Sequence, residues 1–231
     1  MDGRRLAAVA AVLVPSDGRS AVARLLDVAV ELLPIDAASA AVVEGEQHLG
    51  SLAISGVHAG EVDELQFGLG EGPCLVAARV GRAILEPDLR SAVELWPAFA
   101  PAALALGVAA VFAFPLRVGP VPLGVLSLYA GSPGDLGPVD LADAIAISRI
   151  ATHLLLELER DLAPGFLPDR LEEVVGQRAV VHQATGMVAA QLDTDVATAL
   201  GRLRAHAWSL DQAVGEVALE VVARRLRFDG A

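Results

Sequence analysis

Two runs constrain the architecture of this chain most tightly: "AAVFAFPLR" and "VPLGVLSLYA", joined through "VGPVP". Both have strand length and are rich in β-branched and aromatic residues, and a connection built on Gly119 and Pro120 favours a tight reversal. They read as a hairpin. A lone hairpin is marginal in water, so the flanking sequence must supply further strands or helices. "SAVARLLDVAVELL" sets Val22, Leu25, Leu26, Ala29, Leu32 and Leu33 at helical spacing and stops at Pro34. "AASAAVVE" and "LGSLAIS" then read as short strands around a polar turn at Glu44 to Gln47. A glycine-rich, irregular middle follows, in which Cys74 comes after Gly72 and Pro73 at the start of a short helix. Beyond it, "RAILEP" reads as a third strand and "WPAFAPAALALG" as a helix ending at Gly107. A last helix, Asp140 to Leu162, aligns Leu141, Ala144, Ile145, Ser148, Ala151, Leu155 and Leu158. This order predicts an α+β fold, an antiparallel sheet with helices gathered on its faces.

"APGFLP", Ala163 to Pro168, carries two prolines and a glycine and punctuates the chain there. The expected division is 1–163 and 164–231. The second part reads as all helix. In its first helix Val174, Val181, Ala184 and Val188 make an apolar stripe, with Arg178, His182 and Thr185 beside it. "LDTD" breaks that helix and offers Asp193 or Thr194 as the next cap. Val196, Leu200, Leu203 and Ala207 form a second stripe. Ser209 and Gln212 have capping-box spacing for a third helix that buries Val214, Val217, Ala218 and Val221. So small a bundle calls for support from a partner or a neighbouring domain.

At 231 residues and 54% apolar content the chain has material for real cores, which excludes disorder as its general state. Its net charge of −12, with no lysine, opposes whole-molecule attraction to nucleic acid, so any such binding must be local. The charge is uneven: 10 arginines face 20 acids up to Pro164, and 7 face 9 beyond it. One cysteine, Cys74, excludes an intramolecular disulfide and a four-cysteine zinc site, and suits a cytoplasmic location. The apolar run Leu6 to Val14, after two arginines, is too short for the roughly 20 residues of a membrane helix; it reads as a first helix packing on the domain behind it, with a secretion signal as the alternative. No membrane association is expected. No Ser-His-Asp spacing, phosphate loop or metal cluster stands out, and neither a catalytic residue nor a metal ligand is assigned.

Taken in order, "GEGPCLVA", "LWPAF", Gly107-Val108, "FPL" at Phe114 to Leu116 and "LGVLSLY" at Leu123 to Tyr129 resemble the GAF domains of actinobacterial regulators. Farther on, Arg178, "QATG" at Gln183 to Gly186, Met187, Ala199, Leu203-Arg204, Ala207 and Val217-Ala218 are similar to the ANTAR domain. That family is a three-helix RNA-binding module of transcription antitermination regulators, usually dimeric, that binds paired hairpins in leader RNAs. The two resemblances imply a GAF-like sensor followed by an ANTAR-like bundle. On the ANTAR resemblance the RNA-binding candidates are Arg178, His182, Thr185, Arg202, Arg204, Arg224 and Arg225. Thr185 stands where that family commonly has lysine, and each arginine could equally be a solvated helix residue. The GAF resemblance suggests Cys74, Trp96, Phe112 and Phe114 as a sensor pocket.

Methionine-sulfoxide reduction, known among GAF proteins, ordinarily uses more than one cysteine, so no enzyme is expected. Cys74 reads either as a small buried side chain or as a redox-responsive thiol at a helix start. His48, His58 and His153 are isolated and read as structural or solvated. No cofactor is named. The expected partners are a small-molecule ligand of unknown identity, leader RNA hairpins and a second copy of the chain. The competing reading is a non-enzymatic dimerisation or protein-interaction module whose ANTAR-like tail no longer binds RNA.

Overall fold

The computed structural model describes residues 20–44, 47–161, 169–210 and 212–228. The apolar run at 6–14 and the "APGFLP" stretch lie outside them. By contact density the chain divides into two compact units, 1–67 with 71–167, and 68–70 with 168–231.

The first unit opens with α1, Ala21–Leu32, whose Ser20 cap accepts a hydrogen bond from the Ala23 N–H at 3.1 Å. Strands β1 (Ala37–Glu44), β2 (Gln47–Gly56), β3 (Ile84–Glu86), β4 (Ala110–Val118) and β5 (Val121–Ala130) form one sheet in the order β2-β1-β5-β4-β3. Each neighbouring pair is antiparallel, and β4 and β5 are the hairpin that the sequence predicts. Strand alternation then sorts the side chains. Phe112, Phe114 and Leu116 of β4 and Leu126 and Leu128 of β5 enter one core, together with Val22, Leu25, Leu26 and Ala29 of α1. A second helix on that core, α5 (Pro138–Asp161), contributes Ala144, Ile147, Ala151, Leu154 and Leu155.

The region expected to be irregular holds two helices, α2 (Ala59–Leu69) and α3 (Pro73–Val80). In α2 the buried residues are Ala59, Val62, Asp63, Gln66 and Phe67, so two polar side chains interrupt the apolar stripe that would have betrayed the helix. Pro73 occupies the first turn of α3, and Gly81 ends it in the left-handed conformation at φ 66°, its N–H bonded to the Ala77 carbonyl. A 3-10 turn, Leu89–Ala92, and α4, Phe99–Ala105, complete this stretch.

In the second unit the described helices are α6 (Asp169–Leu192), α7 (Val196–Ser209) and α8 (Val214–Val222). Their shared core draws Val181, Ala184 and Val188 from α6, Ala199, Leu203 and Ala207 from α7, and Val214, Val217, Ala218 and Val221 from α8. Two expected details differ. The cap of α7 is Asp195, whose carboxylate accepts from the Thr198 N–H at 2.9 Å, while Asp193 adopts φ 49°. Ser209 is the last residue of α7 and donates to the His206 carbonyl; α8 starts after Ala213 without a side-chain cap. A serine hydroxyl can bond back into the turn it ends as readily as forward into a new one, and spacing alone does not choose. Val196 is exposed, because it opens α7 on the outer side, so the second stripe rests on Ala199, Leu203 and Ala207.

Candidate functional site

The sheet face opposite the α1/α5 core is lined differently. Register pairs Ser39 of β1 with Ser127 of β5, Ala37 with Tyr129, and Ala113 of β4 with Ser127. The helices over this face bring Asp63, Gln66 and Cys74. Asp63 lies fully buried and accepts hydrogen bonds from three hydroxyls: Ser39 at 3.0 Å, Tyr129 at 2.5 Å and Ser51 of β2 at 2.6 Å. The Tyr129 hydroxyl is also 3.2 Å from Ser39 Oγ, and Gln66 Nε2 reaches it at 3.4 Å. The Gln66 carbonyl oxygen accepts from the Cys74 backbone N–H at 2.8 Å, which binds α2 to the first turn of α3.

Gly72 makes that last contact possible. Its φ is 126°, and a Cβ there would come within 2.6 Å of Gln66 Oε1, so a side chain would expel the amide. Next to it, Glu71 Oε2 accepts from the Ala98 and Phe99 N–H groups at 3.0 and 3.2 Å, fastening the loop to the start of α4. Carboxylates are favoured at helix N-termini, where N–H groups lack partners.

Electrostatically the face is a carboxylate held among hydroxyls. Burial first, then the Asp63 charge, then Cys74, push the Tyr129 phenol well above its ordinary range, so it serves as a neutral donor. Ser127 Oγ is buried and makes no hydrogen bond among the described residues. A buried hydroxyl left unsatisfied costs about 1–3 kcal/mol, so it offers a hydrogen-bonding position beside Ser39. Acceptor and donor groups thus converge on one buried patch, whose apolar rim includes Val43, Ala77, Ala113 and Val125. It contains no cluster fit for a metal: among the described residues no group of three or more His, Cys, Asp or Glu side chains could hold one.

Of the residues suggested for a sensor pocket, Cys74 lies on this face, fully buried. Trp96 is 7% exposed and packs edge-on against Phe99 at 6.3 Å. Phe112 and Phe114 are in the α1/α5 core, on the opposite face of the sheet from Cys74, because residues two apart on a strand share a side and theirs is the other one. The structure therefore does not bring the four together. Sequence reasoning missed Asp63, Gln66, Ser39, Ser51, Ser127, Tyr129 and Glu71. Their one advance signal was the placement of Ser127 and Tyr129 within a strand otherwise apolar. Of the histidines, His58 pairs with Glu61 at 3.0 Å and His153 is exposed; the His48 side chain lies outside the described residues.

The residues suggested for RNA contact are spread over the helical unit. The Arg178 side chain lies outside the described residues. Arg202 is exposed, and Arg204 is half-buried, which pulls its guanidinium below its ordinary pKa. Arg225 makes a two-pronged pair with Glu220, both contacts at 2.7 Å. Arg224, exposed, holds the left-handed turn that ends α8, at φ 59°. His182 is half-buried, its Nε2 enclosed without a hydrogen-bond partner among the described residues. Thr185 is 1% exposed and donates to the Val181 carbonyl at 2.7 Å, so its hydroxyl is committed to its own helix and faces no solvent. An outward role for Thr185 does not fit that burial. No described helix is long and apolar enough to cross a membrane.

The family model described as GAF domain matches residues 17–155. No curated protein matched the sequence. Among solved structures, the GAF domain of a phosphoenolpyruvate-protein phosphotransferase from Coxiella burnetii is 20% identical, with a TM-score of 0.53, and covers 71% of this chain and 97% of its own. The corresponding Acinetobacter domain is 10% identical, with a TM-score of 0.52 and coverages of 71% and 99%. A free methionine-R-sulfoxide reductase from Neisseria meningitidis, in complex with its substrate, is 15% identical, with a TM-score of 0.52 and coverages of 68% and 89%. Similarity at these identities establishes a shared fold.

Proposed function

Because the chain belongs to the GAF domain family, whose members are sensor and signalling modules, we propose that it is a signal-responsive regulator with an RNA-directed output. In this reading a small molecule binds at the face built by Asp63, Ser39, Ser127, Tyr129 and Gln66, and the helical unit binds hairpins in leader transcripts to control transcription antitermination. The buried hydroxyl–carboxylate network carries the sensor half. Burying a carboxylate and its donors is expensive compared with packing apolar side chains, and a buried polar cluster with a strongly shifted titratable group is a candidate functional site. The RNA half is supported by the resemblance of the tail to ANTAR domains and by the charge of α7, which carries Arg202, Arg204 and His206 and no acid.

Signalling is a shift of populations. Ligand at the α2/α3 face biases β4 and β5, α5 packs against the other side of those strands, and α5 is the last described helix of the sensor unit before the output unit in sequence. No chemistry is assigned to the site: it contains one cysteine and no metal ligands are proposed. The protein acts in the cytoplasm as a homodimer.

A second reading, a dimerisation or protein-interaction module without RNA, is favoured by the net charge of −12 and by Glu220 holding Arg225. Titrating a two-hairpin RNA at several salt concentrations separates the two. Antitermination requires binding that weakens steeply as salt rises, since arginine–phosphate contacts release counterions. A dimer with no RNA affinity at low salt leaves the second reading.

A further inference from the structure

We propose that Trp208 is a base-stacking platform, so that the outer face of α7 receives an unpaired RNA nucleotide; this rests on the RNA reading above. The chain has two tryptophans. Trp96 is 7% exposed, as an indole in a core should be, whereas Trp208 is 59% exposed on a regular helix. With Leu210, 52% exposed, it leaves large apolar side chains in water at the end of α7. The inner face of α7 is anchored by buried Ala199, Leu203 and Ala207, which fixes the outer face in place.

The neighbours of Trp208 on that outer face are Ala205 and Gly201, both exposed, at helical spacings of three and seven. Neither carries more than a methyl group, and the indole is 59% exposed. Arg204 sits one turn back, half-buried, and Arg202 is exposed farther around the helix. Charge selects the occupant. The chain as a whole carries −12, yet Val196–Ser209 contains two arginines, one histidine and no acid. A polyanion carrying aromatic rings meets both features: its phosphates suit exposed Arg202 and its base suits the indole. An unpaired nucleotide in a hairpin loop is required, because a base within a duplex offers no free face.

The test uses the full chain, a fluorescently labelled two-hairpin RNA with unpaired purines in its loops, and the variants Trp208→Ala and Trp208→Phe. RNA should quench the tryptophan emission of the wild-type protein and leave that of Trp208→Phe unchanged. Trp208→Ala should bind roughly 5- to 150-fold more weakly, the range for loss of one stacked base, while Trp208→Phe retains most of the affinity. Circular dichroism should show unchanged helicity, since the side chain is exposed. RNA binding with no quenching and equal affinity in all three proteins overturns the stacking role and leaves the RNA reading intact. No RNA binding by the wild-type protein overturns both. A change from dimer to monomer in Trp208→Ala, with RNA affinity unaltered, assigns the face to a second copy of the chain and overturns the proposal.

Discussion

Tyr129 is the only tyrosine in the chain, so its ionisation can be read alone by the ultraviolet absorbance of tyrosinate. An exposed phenol titrates near pH 10. In the folded protein Tyr129 is held well above that, first because a phenolate would be stripped of water, then because it would face the Asp63 carboxylate, to which the neutral phenol donates. A folded-state pKa raised above the unfolded one contributes stability that is fully present below about pH 10 and is lost as pH rises beyond it. Above that point the unfolded chain releases a proton that the folded chain keeps. Each further pH unit up to the folded-state pKa then costs about 1.4 kcal/mol, an appreciable share of a small domain's stability. Absorbance recorded against pH should show no phenolate in the folded protein near pH 10, followed by an abrupt rise that coincides with loss of the circular dichroism signal. In urea the same residue should titrate smoothly near pH 10. Tyr129→Phe should remove about one proton's worth of alkaline sensitivity from urea-unfolding curves. A smooth, reversible phenolate titration near pH 10 with the fold intact would refute the argument, since it would place the hydroxyl in contact with water.

Glu71→Ala should lower stability by about 1–2 kcal/mol in urea unfolding, because the first N–H groups of α4 lose their carboxylate acceptor. Arg224→Gly should raise the melting temperature of the helical unit by the equivalent of about 1 kcal/mol, as glycine removes the strain of φ 59° while the N–H bonds of Arg224 and Arg225 to Val221 and Glu220 keep the turn. Thr185→Lys, which restores the cation common in the family the tail resembles, should destabilise the unit by about 2 kcal/mol or more by thermal melting, because position 185 is buried.

Strong periodicity made the outer architecture legible. The alternation in β4 and β5, the stripe of α1 ending at Pro34 and the stripes of the C-terminal helices each repeat one physical pattern over enough residues to be read without a structure. Strand parity was legible too: Phe112, Phe114 and Leu116 must share a side. Which helices cover that side is a tertiary fact, and the placement of Phe112 and Phe114 with Cys74 failed for that reason. The candidate site was hidden more deeply. Asp63 lies 24 residues from Ser39 and 66 from Tyr129, separations at which no local spacing rule acts. In the helical unit, Thr185 lies beside the apolar stripe in sequence, yet packing buries it, since a narrow stripe underestimates how much of a central helix its neighbours cover.

The concealment of Asp63 and Gln66 follows from what they do. An amphipathic helix advertises itself through apolar residues on its buried face, and α2 spends two of those positions on polar side chains that point inward. The same substitution that erases the pattern creates the site. On the α1/α5 side of the sheet the core cluster is apolar, and polar groups beside it include Ser148, which donates to the Ile145 carbonyl within its own helix, and Ser55, which donates to Asp27 of α1 at 2.7 Å. On the α2/α3 side Ser39, Asp63, Gln66 and Ser127 are buried together on one sheet face, and Ser127 Oγ has no hydrogen bond among the described residues. Two faces of one sheet share strands, twist and solvent exclusion, so fold stability alone does not explain the difference between them. An apolar set of similar volume would stabilise the α2/α3 face at least as well. On the reading proposed above, these polar side chains are what a hydrogen-bonding ligand would engage, and they are also what breaks the periodicity at residues 59–69.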